Sequence, residues 1–259
     1  MQQVLLWSER LDKVLTMIYC IKELTEGKMA QPLAFEYVYT FKNGLVKKIR
    51  LDLDRDSLSL QRERRPDPPL WTLLNHKRCG NCPLNVHEHA YCPVALNFTD
   101  IAEQFRDMVS HEEVVVTVTT EERTYTRETT VQQGLSPLIG IIMTTSGCPV
   151  LEHLKPMVRF HLPFASLDET VFRMVSMYLL VQYYRHQDGK RAEWRLDGLT
   201  KVYAEVGIVN RDFANRLRDA AKKDANLNAL VNLDCFASMV PLVADDTLKA
   251  IRPYFSAYL

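Results

Sequence analysis

The chain has no surplus of charge of either sign. Lys plus Arg and Asp plus Glu each number 32, so its 259 residues carry a formal charge of zero. A balanced chain gives no long-range electrostatic reason to expect DNA, RNA or an anionic membrane as partner, although a local basic patch stays open. Long apolar runs are missing as well. The uncharged run Val131 to Leu151 is interrupted by Gln132, Gln133, Gly134, Ser136, Pro137 and several Thr, and its apolar core spans only Leu135 to Met143. That length suits a buried helix and falls short of a bilayer. Behind Met1-Gln2-Gln3 the apolar stretch is broken by Glu9, Arg10, Asp12 and Lys13, unlike a secretory leader. The expected home is therefore cytoplasmic. Also missing are a Gly-rich phosphate loop, a G-x-S-x-G and an H-E-x-x-H, so no named catalytic chemistry follows from motif alone. There is no internal repeat and no low-complexity tract.

What is present is an ordinary globular balance, 47% hydrophobic and 25% charged. Leu11, Val14, Leu15, Ile18 and Ile21 recur at helical spacing and predict an amphipathic helix over residues 4–25, suited to packing on the body or on a partner. The period then becomes two. Phe35, Tyr37, Tyr39 and Phe41 alternate, as do Ile49, Leu51 and Leu53, and Asn43-Gly44 between them predicts a type I′ hairpin. Leu58 and Leu60 suggest a short third strand, and Gln61 to Pro69 an exposed connector. A short helix is expected over Ile101 to Met108. A second hairpin should join Val114, Val116 and Val118 to Tyr125–Thr130 through Thr120-Glu121-Glu122. Ser136-Pro137 and Gly147 bracket a buried helix. Ser166-Leu167-Asp168-Glu169 is a capping box before a helix through Tyr184, closed by Asp188-Gly189. Four further helical stretches cover about 197–206, 209–223, 226–240 and 246–257. The fold class is α+β, with antiparallel hairpins in the N-terminal half and helices in the C-terminal half. Three regions follow: 1–30 as the amphipathic helix, 31–150 as an α+β region with a cysteine-rich metal site, and 151–259 as a helical region, the last two able to merge into one domain.

The cysteines carry the chemistry. Cys79-Gly80-Asn81-Cys82-Pro83 and Tyr91-Cys92-Pro93 make a C-x2-C-x9-C pattern. In a reducing compartment that pattern reads as metal ligation before disulfides. A C-x2-C turn sets two thiolates on one side of a tight loop, and Gly80 allows a sharp bend. Cys148, in Ser146-Gly147-Cys148-Pro149, is the leading fourth ligand; His76, His87 and His89 compete. Cys82, Cys92 and Cys148 each precede Pro, where composition alone gives roughly 0.3 such pairs among six cysteines. Proline stiffens the chain beside each sulfur, and a Cys-Pro step also marks a ligand of bacterial ferredoxin clusters. Zinc and a [4Fe–4S] cluster both stay open; the wide separation to Cys148 and the Cys-Pro steps lean towards the cluster, and spacing alone does not decide. Reduced thiols in a tight loop, with Cys148 a core residue, is the plain alternative. Cys20 and Cys235 fall inside helical patterns and read as structural.

Other residues weigh less. Asp52, Asp54, Asp56 and Glu63 match positions of a calcium loop, but Ser57 replaces its glycine and the segment alternates like a strand. Glu152, His153, Arg159 and His161 flank Cys148 and could wall an active site or serve as acid–base groups; singly, each reads as structural. Arg62, Arg64 and Arg65 read as a solvated run, and the rows Tyr37/Tyr39 and Tyr183/Tyr184 as core.

The stretches Cys79-Gly80-Asn81-Cys82-Pro83-Leu84, Tyr91-Cys92-Pro93-Val94-Ala95 and Thr145-Ser146-Gly147-Cys148-Pro149 resemble an uncharacterised bacterial family, a domain of unknown function. Met157 to Ala165 and Met177-Tyr178-Leu179-Leu180 belong with them. The resemblance runs from about residue 34 to the C-terminus and implies a bacterial cytosolic protein, with no activity attached. Three roles are carried forward: a non-enzymatic metalloprotein serving redox sensing or structure, an enzyme with a pocket near Cys148, Arg159 and His161, and a module that docks a protein partner through its N-terminal helix.

Overall fold

In the computed structural model, which describes residues 31–63 and 65–259, the alternating stretches form a five-stranded antiparallel sheet. Its strands are β1 (Leu33–Phe41), β2 (Val46–Leu53), β3 (Leu60–Gln61), β4 (Glu113–Thr119) and β5 (Thr124–Thr130), in the spatial order β3-β2-β1-β4-β5. The helix expected over residues 4–25, and Cys20 within it, lie outside the described residues. Tyr37 stands opposite Ile49 on one side and Val118 on the other, and Phe35 opposite Leu51. Directly opposed residues share a face, so the apolar half of every alternation is buried on one side of the sheet. Tyr37 and Tyr39 sit at its centre, fully buried, as expected.

The first hairpin forms, with a different turn. Gly44 alone takes a positive φ, +84°. The connection runs through Lys42–Leu45: the Gly44 amide donates to Phe41 O (3.0 Å), and Asn43 uses its side chain to accept from the Leu45 amide (3.0 Å). A four-residue loop built this way needs only one left-handed residue, where type I′ needs two. The third strand is Leu60–Gln61, while Leu58 turns the chain at φ +53°. The expected connector after it is pinned down. Arg62 and Arg65 pair with Asp100 at 2.6 and 3.0 Å, and Arg65 with Glu103 at 2.6 Å.

Among the described residues there are six α-helices: α1 (Pro93–Gln104), α2 (Val131–Thr145), α3 (Lys155–Arg159), α4 (Leu167–Gln187), α5 (Asp197–Leu217) and α6 (Ala225–Ile251). The helix expected from Ile101 instead begins at Pro93, with Cys92 as its N-cap, because a proline at the first helical position has the right φ and no amide to waste. The buried helix starts at Val131, directly after β5, and carries Pro137 inside it. The four C-terminal stretches become two helices. Gly207 does not break α5, since Val206, Val209 and Phe213 around it are buried, and packing overrides the local propensity. Pro241 bends α6 by 60° without ending it. The capping box of Ser166 and Glu169 forms as expected. Tyr183 and Tyr184, by contrast, are exposed, because the buried stripe of α4 is Val171, Met174, Val175, Tyr178 and Gln182.

The architecture is thus α+β, with α1 and α2 against the sheet and α4–α6 behind α2. Helix α2 lies close. The Tyr39 hydroxyl donates to Gly134 O (2.9 Å), and a side chain at Gly134 would sit 2.6 Å from Val116 Cγ2. One large core joins sheet, α1, α2 and the inner faces of α5 and α6, and a smaller one joins α4, α5 and α6. Among the described residues no single helix is long and apolar enough to cross a membrane; Ala225–Met239 and Pro241–Phe255 pass by length and composition only as a bent pair.

Candidate metal centre

The segment holding the first three cysteines is closed by its own backbone. After a 3-10 turn at Leu70–Thr72, the Leu74 amide donates to Ala90 O (2.9 Å) and the Cys92 amide to Thr72 O (2.8 Å), making a lone antiparallel bridge at Leu73 and Tyr91. Residues 75–89 therefore form a loop with a fixed neck, and Cys92 sits at that neck. Inside it the Cys82 amide donates to Cys79 O (3.1 Å), which tightens the C-x2-C turn. Gly80 is not what permits the bend: its φ is not positive, and a Cβ there would find Asp212 Oδ2 at an ordinary 3.8 Å. Lys77 takes the left-handed position instead, at φ +42°.

One polar stripe of α5 anchors this loop from outside. The Gly80 amide donates to Asp212 (2.8 Å), and Asn81 Nδ2 to the carboxylate and carbonyl of Glu205 (2.7 and 3.0 Å). Asp219 receives Lys77 and shares a 2.7 Å contact with His76 Nε2. Arg216, only 1% exposed, donates through Nη1 to Trp71 O and Leu73 O (2.9 and 2.6 Å) and through Nη2 to Leu74 O (3.2 Å). Positions 205, 212 and 216 of α5 recur at helical spacing, so one helix face serves the loop, and Asp219 adds to it from the turn just after the helix. Sequence reading missed these anchors. Their only signal was that acidic and basic residues interrupt the apolar pattern on that face.

Cys148 comes from elsewhere. It follows α2 through Gly147 (φ +86°), a helix-ending conformation that glycine adopts without strain, and its carbonyl accepts the amides of Leu151 and Glu152 (3.0 Å each). All four cysteines are half-buried, and Cys79, Cys92 and Cys148 pack against the main core. Burial pushes the Cys79 thiol up to about 12; the nearby charges of Cys92, Asp212 and Cys148 add to that, and Arg216 opposes it. Burial also raises Cys92 and Cys148, with the Cys82 charge adding in both cases and that of Cys92 adding at Cys148. The amides of Val94 and Ala95 favour the Cys92 anion, and those of Val150 and Leu151 the Cys148 anion. Four thiols from three chain segments thus share one field, in which their anions need a compensating cation.

Among the described residues no group of three or more His, Cys, Asp or Glu side chains is arranged to hold a metal ion. A tetrahedral zinc with Zn–S of about 2.3 Å needs sulfurs only about 3.8 Å apart. Two unsatisfied atoms nonetheless mark this place. Of the buried side-chain polar atoms without a partner among the described residues, Asn81 Oδ1 and Arg216 Nε both belong to the loop and its brace. The donor set, the desolvation and the orphaned guanidinium N–H suit an anionic thiolate-ligated group.

The competing ligands are placed differently. His76 is engaged by Asp219, while His87 and His89 are exposed on the loop. Cys235 is exposed on α6. Asp52 pairs with Arg50 (2.9 Å), and Asp54 accepts the amide and hydroxyl of Ser57 (2.8 and 2.7 Å), which are strand and turn roles. Glu152 pairs with Lys155 (2.7 Å), His153 is exposed, and the Arg159 guanidinium lies over the Phe160 ring (5.7 Å). Only His161 of that group lines a cavity, of about 540 Å³, whose walls include neither Cys148 nor Arg159.

A family model described as a domain of unknown function, DUF6901, matches residues 35–256. The chain belongs to this family. The match spans all four central cysteines, the α5 stripe and the cavity. No curated protein and no solved structure matches the chain.

Proposed function

We propose that Cys79, Cys82, Cys92 and Cys148 together hold a metal centre, an iron–sulfur cluster ahead of a single zinc ion, and that the protein works as a redox or oxygen sensor in a reducing cytoplasm. The convergence of the four thiols carries the reading. They come from three separate segments, lie within one another's electrostatic reach, and stand beside a buried guanidinium with an unused donor. A cluster would supply reversible one-electron chemistry there. The chain's own residues hold the thiolates in place: the neck at Thr72 and Cys92 fixes one, the Asp212 and Glu205 contacts fix the C-x2-C turn, and Gly147 orients the fourth. The Cys-Pro steps and the wide sequence separation of Cys148 from the other three favour the cluster over zinc.

Anaerobic purification with iron, sulfide and zinc analysis tests this, with Cys148→Ser alongside. A brown protein with about four irons per chain, bleached by dithionite and lost in the variant, supports the cluster. A colourless protein with one zinc, lost in the variant, supports a structural staple and ends the sensor reading. Metal in neither preparation overturns the metal centre altogether.

A further inference from the structure

The 540 Å³ cavity lies on the far side of α5 from the cysteine loop, lined by the end of β5, α2, α3, α4, α5 and α6 and open on one side to solvent. Its size falls within the range of small-molecule sites, which are apolar chambers with a few placed polar groups. The apolar share comes from residues such as Ile141, Met143, Leu151, Leu154, Met157 and Val206. Among the polar groups in its wall, Ser136 and Arg173 keep unused hydrogen-bonding capacity. Ser136 is 6% exposed, and among the described residues its hydroxyl makes no hydrogen bond. Arg173 donates through Nη2 to Met157 O (2.9 Å) and Phe160 O (2.8 Å), which fixes the guanidinium plane. Its other nitrogens meet no acceptor among the described residues.

Charge decides the class of occupant. The charged groups lining the cavity are Arg173, Arg127 and Glu169. The Glu169 carboxylate is turned back to the helix terminus, where it accepts the Ser166 amide (2.7 Å). Arg127 is exposed and lies over the Phe164 ring (5.9 Å). His161 adds no charge: burial, then the Arg173 charge, lowers its pKa to about 3, and its Nε2 is taken by Tyr37 (2.6 Å). What remains is a largely desolvated cation with free donors at the wall of an apolar chamber. With both Nη2 hydrogens spent on Met157 O and Phe160 O, Nη1 is left to donate a charge-assisted hydrogen bond, which suits a carboxylate oxygen. A lone phosphate would leave the apolar walls bare.

We infer that this cavity is a binding site for an organic monoanion with an apolar body, a medium-chain carboxylate, held by Arg173 and Ser136. This site is separate from the metal centre and does not depend on it. The test is calorimetric titration of the full-length protein with decanoate, decanol and inorganic phosphate, repeated on Arg173→Gln and Arg173→Lys. Decanoate should bind at one per chain, decanol on the order of tenfold or more weakly, and phosphate not at all, since a charge-assisted hydrogen bond is what separates them. Arg173→Gln should lose the preference for decanoate over decanol, and Arg173→Lys should keep part of it. Should Arg173→Gln fail to fold, the comparison of the three probes on the unaltered protein still decides. Equal affinity for decanoate and decanol, uptake of many decanoates per chain, or no decanoate binding would each overturn the inference.

Discussion

Replacing Arg216 by leucine cuts the strongest tie between α5 and the cysteine loop. Leu73 O keeps a second donor, the His76 amide at 3.1 Å, whereas Trp71 O and Leu74 O have no other among the described residues. Two carbonyls are left unpaired in a screened environment, at about 1–3 kcal/mol each. Against this, the substitution removes a desolvated cation whose Nε already lacks a partner, and that returns part of a cost of several kcal/mol. Loss of the three hydrogen bonds should win, with a net destabilisation of about 2–4 kcal/mol and a fall in Tm of roughly 5–12 °C for a chain of this size. Urea unfolding gives the free energy, and limited proteolysis should show earlier cleavage within residues 75–89. Arg216→Lys should fall between, since one ammonium cannot serve three carbonyls from one position. Stability within about 0.5 kcal/mol of the parent, with no new cleavage in the loop, would refute the claim that Arg216 braces it.

Two further outcomes follow from buried groups. His161 is neutral when folded, with a pKa of about 3, but takes a proton near 6.5 once unfolded. The unfolded chain therefore binds more protons in between, and stability should fall by about 2 kcal/mol from pH 6.5 to 5. His161→Gln should flatten that slope in pH-dependent urea titrations; an unchanged slope would assign it to other groups. Gly134→Ala gains about 1 kcal/mol of helix propensity, yet its Cβ would meet Val116 at 2.6 Å and Tyr39 at 3.2 Å, both fully buried. Overpacking of about 1–3 kcal/mol should dominate, and a higher urea midpoint for the variant would contradict it.

The sheet was legible because its signal is local. Period-two alternation in Phe35–Phe41 and Val114–Val118 specifies which residues face the core, and pairing needs no more. The turn at Asn43 was misjudged because side-chain capping of Leu45 competes with a left-handed backbone, and both use the same residue types. Pro93 was read as a stiffener beside sulfur when it also opens α1; one residue serves both, and only the start of the helix tells them apart. The case for Cys148 as fourth ligand rested on composition, since Cys-Pro pairs stood out. The stripe of α5 and the cavity were not, because their members come from segments more than a hundred residues apart and meet only through packing.

The bond from Arg216 to Trp71 spans 145 residues of sequence, and this sets an order of events during synthesis. A chain leaving the ribosome from its N-terminus presents Cys79, Cys82 and Cys92 long before α5 exists, by on the order of 10 s at ordinary elongation rates. Through that interval the three thiols stand in a loop without its brace, open to oxidants and to stray metal ions. Cys148 arrives midway, and the loop is locked only when α5 docks. Closure of this loop is therefore coupled to completion of the C-terminal half, and a chain truncated before α5 would carry all four cysteines without the helix that braces the loop.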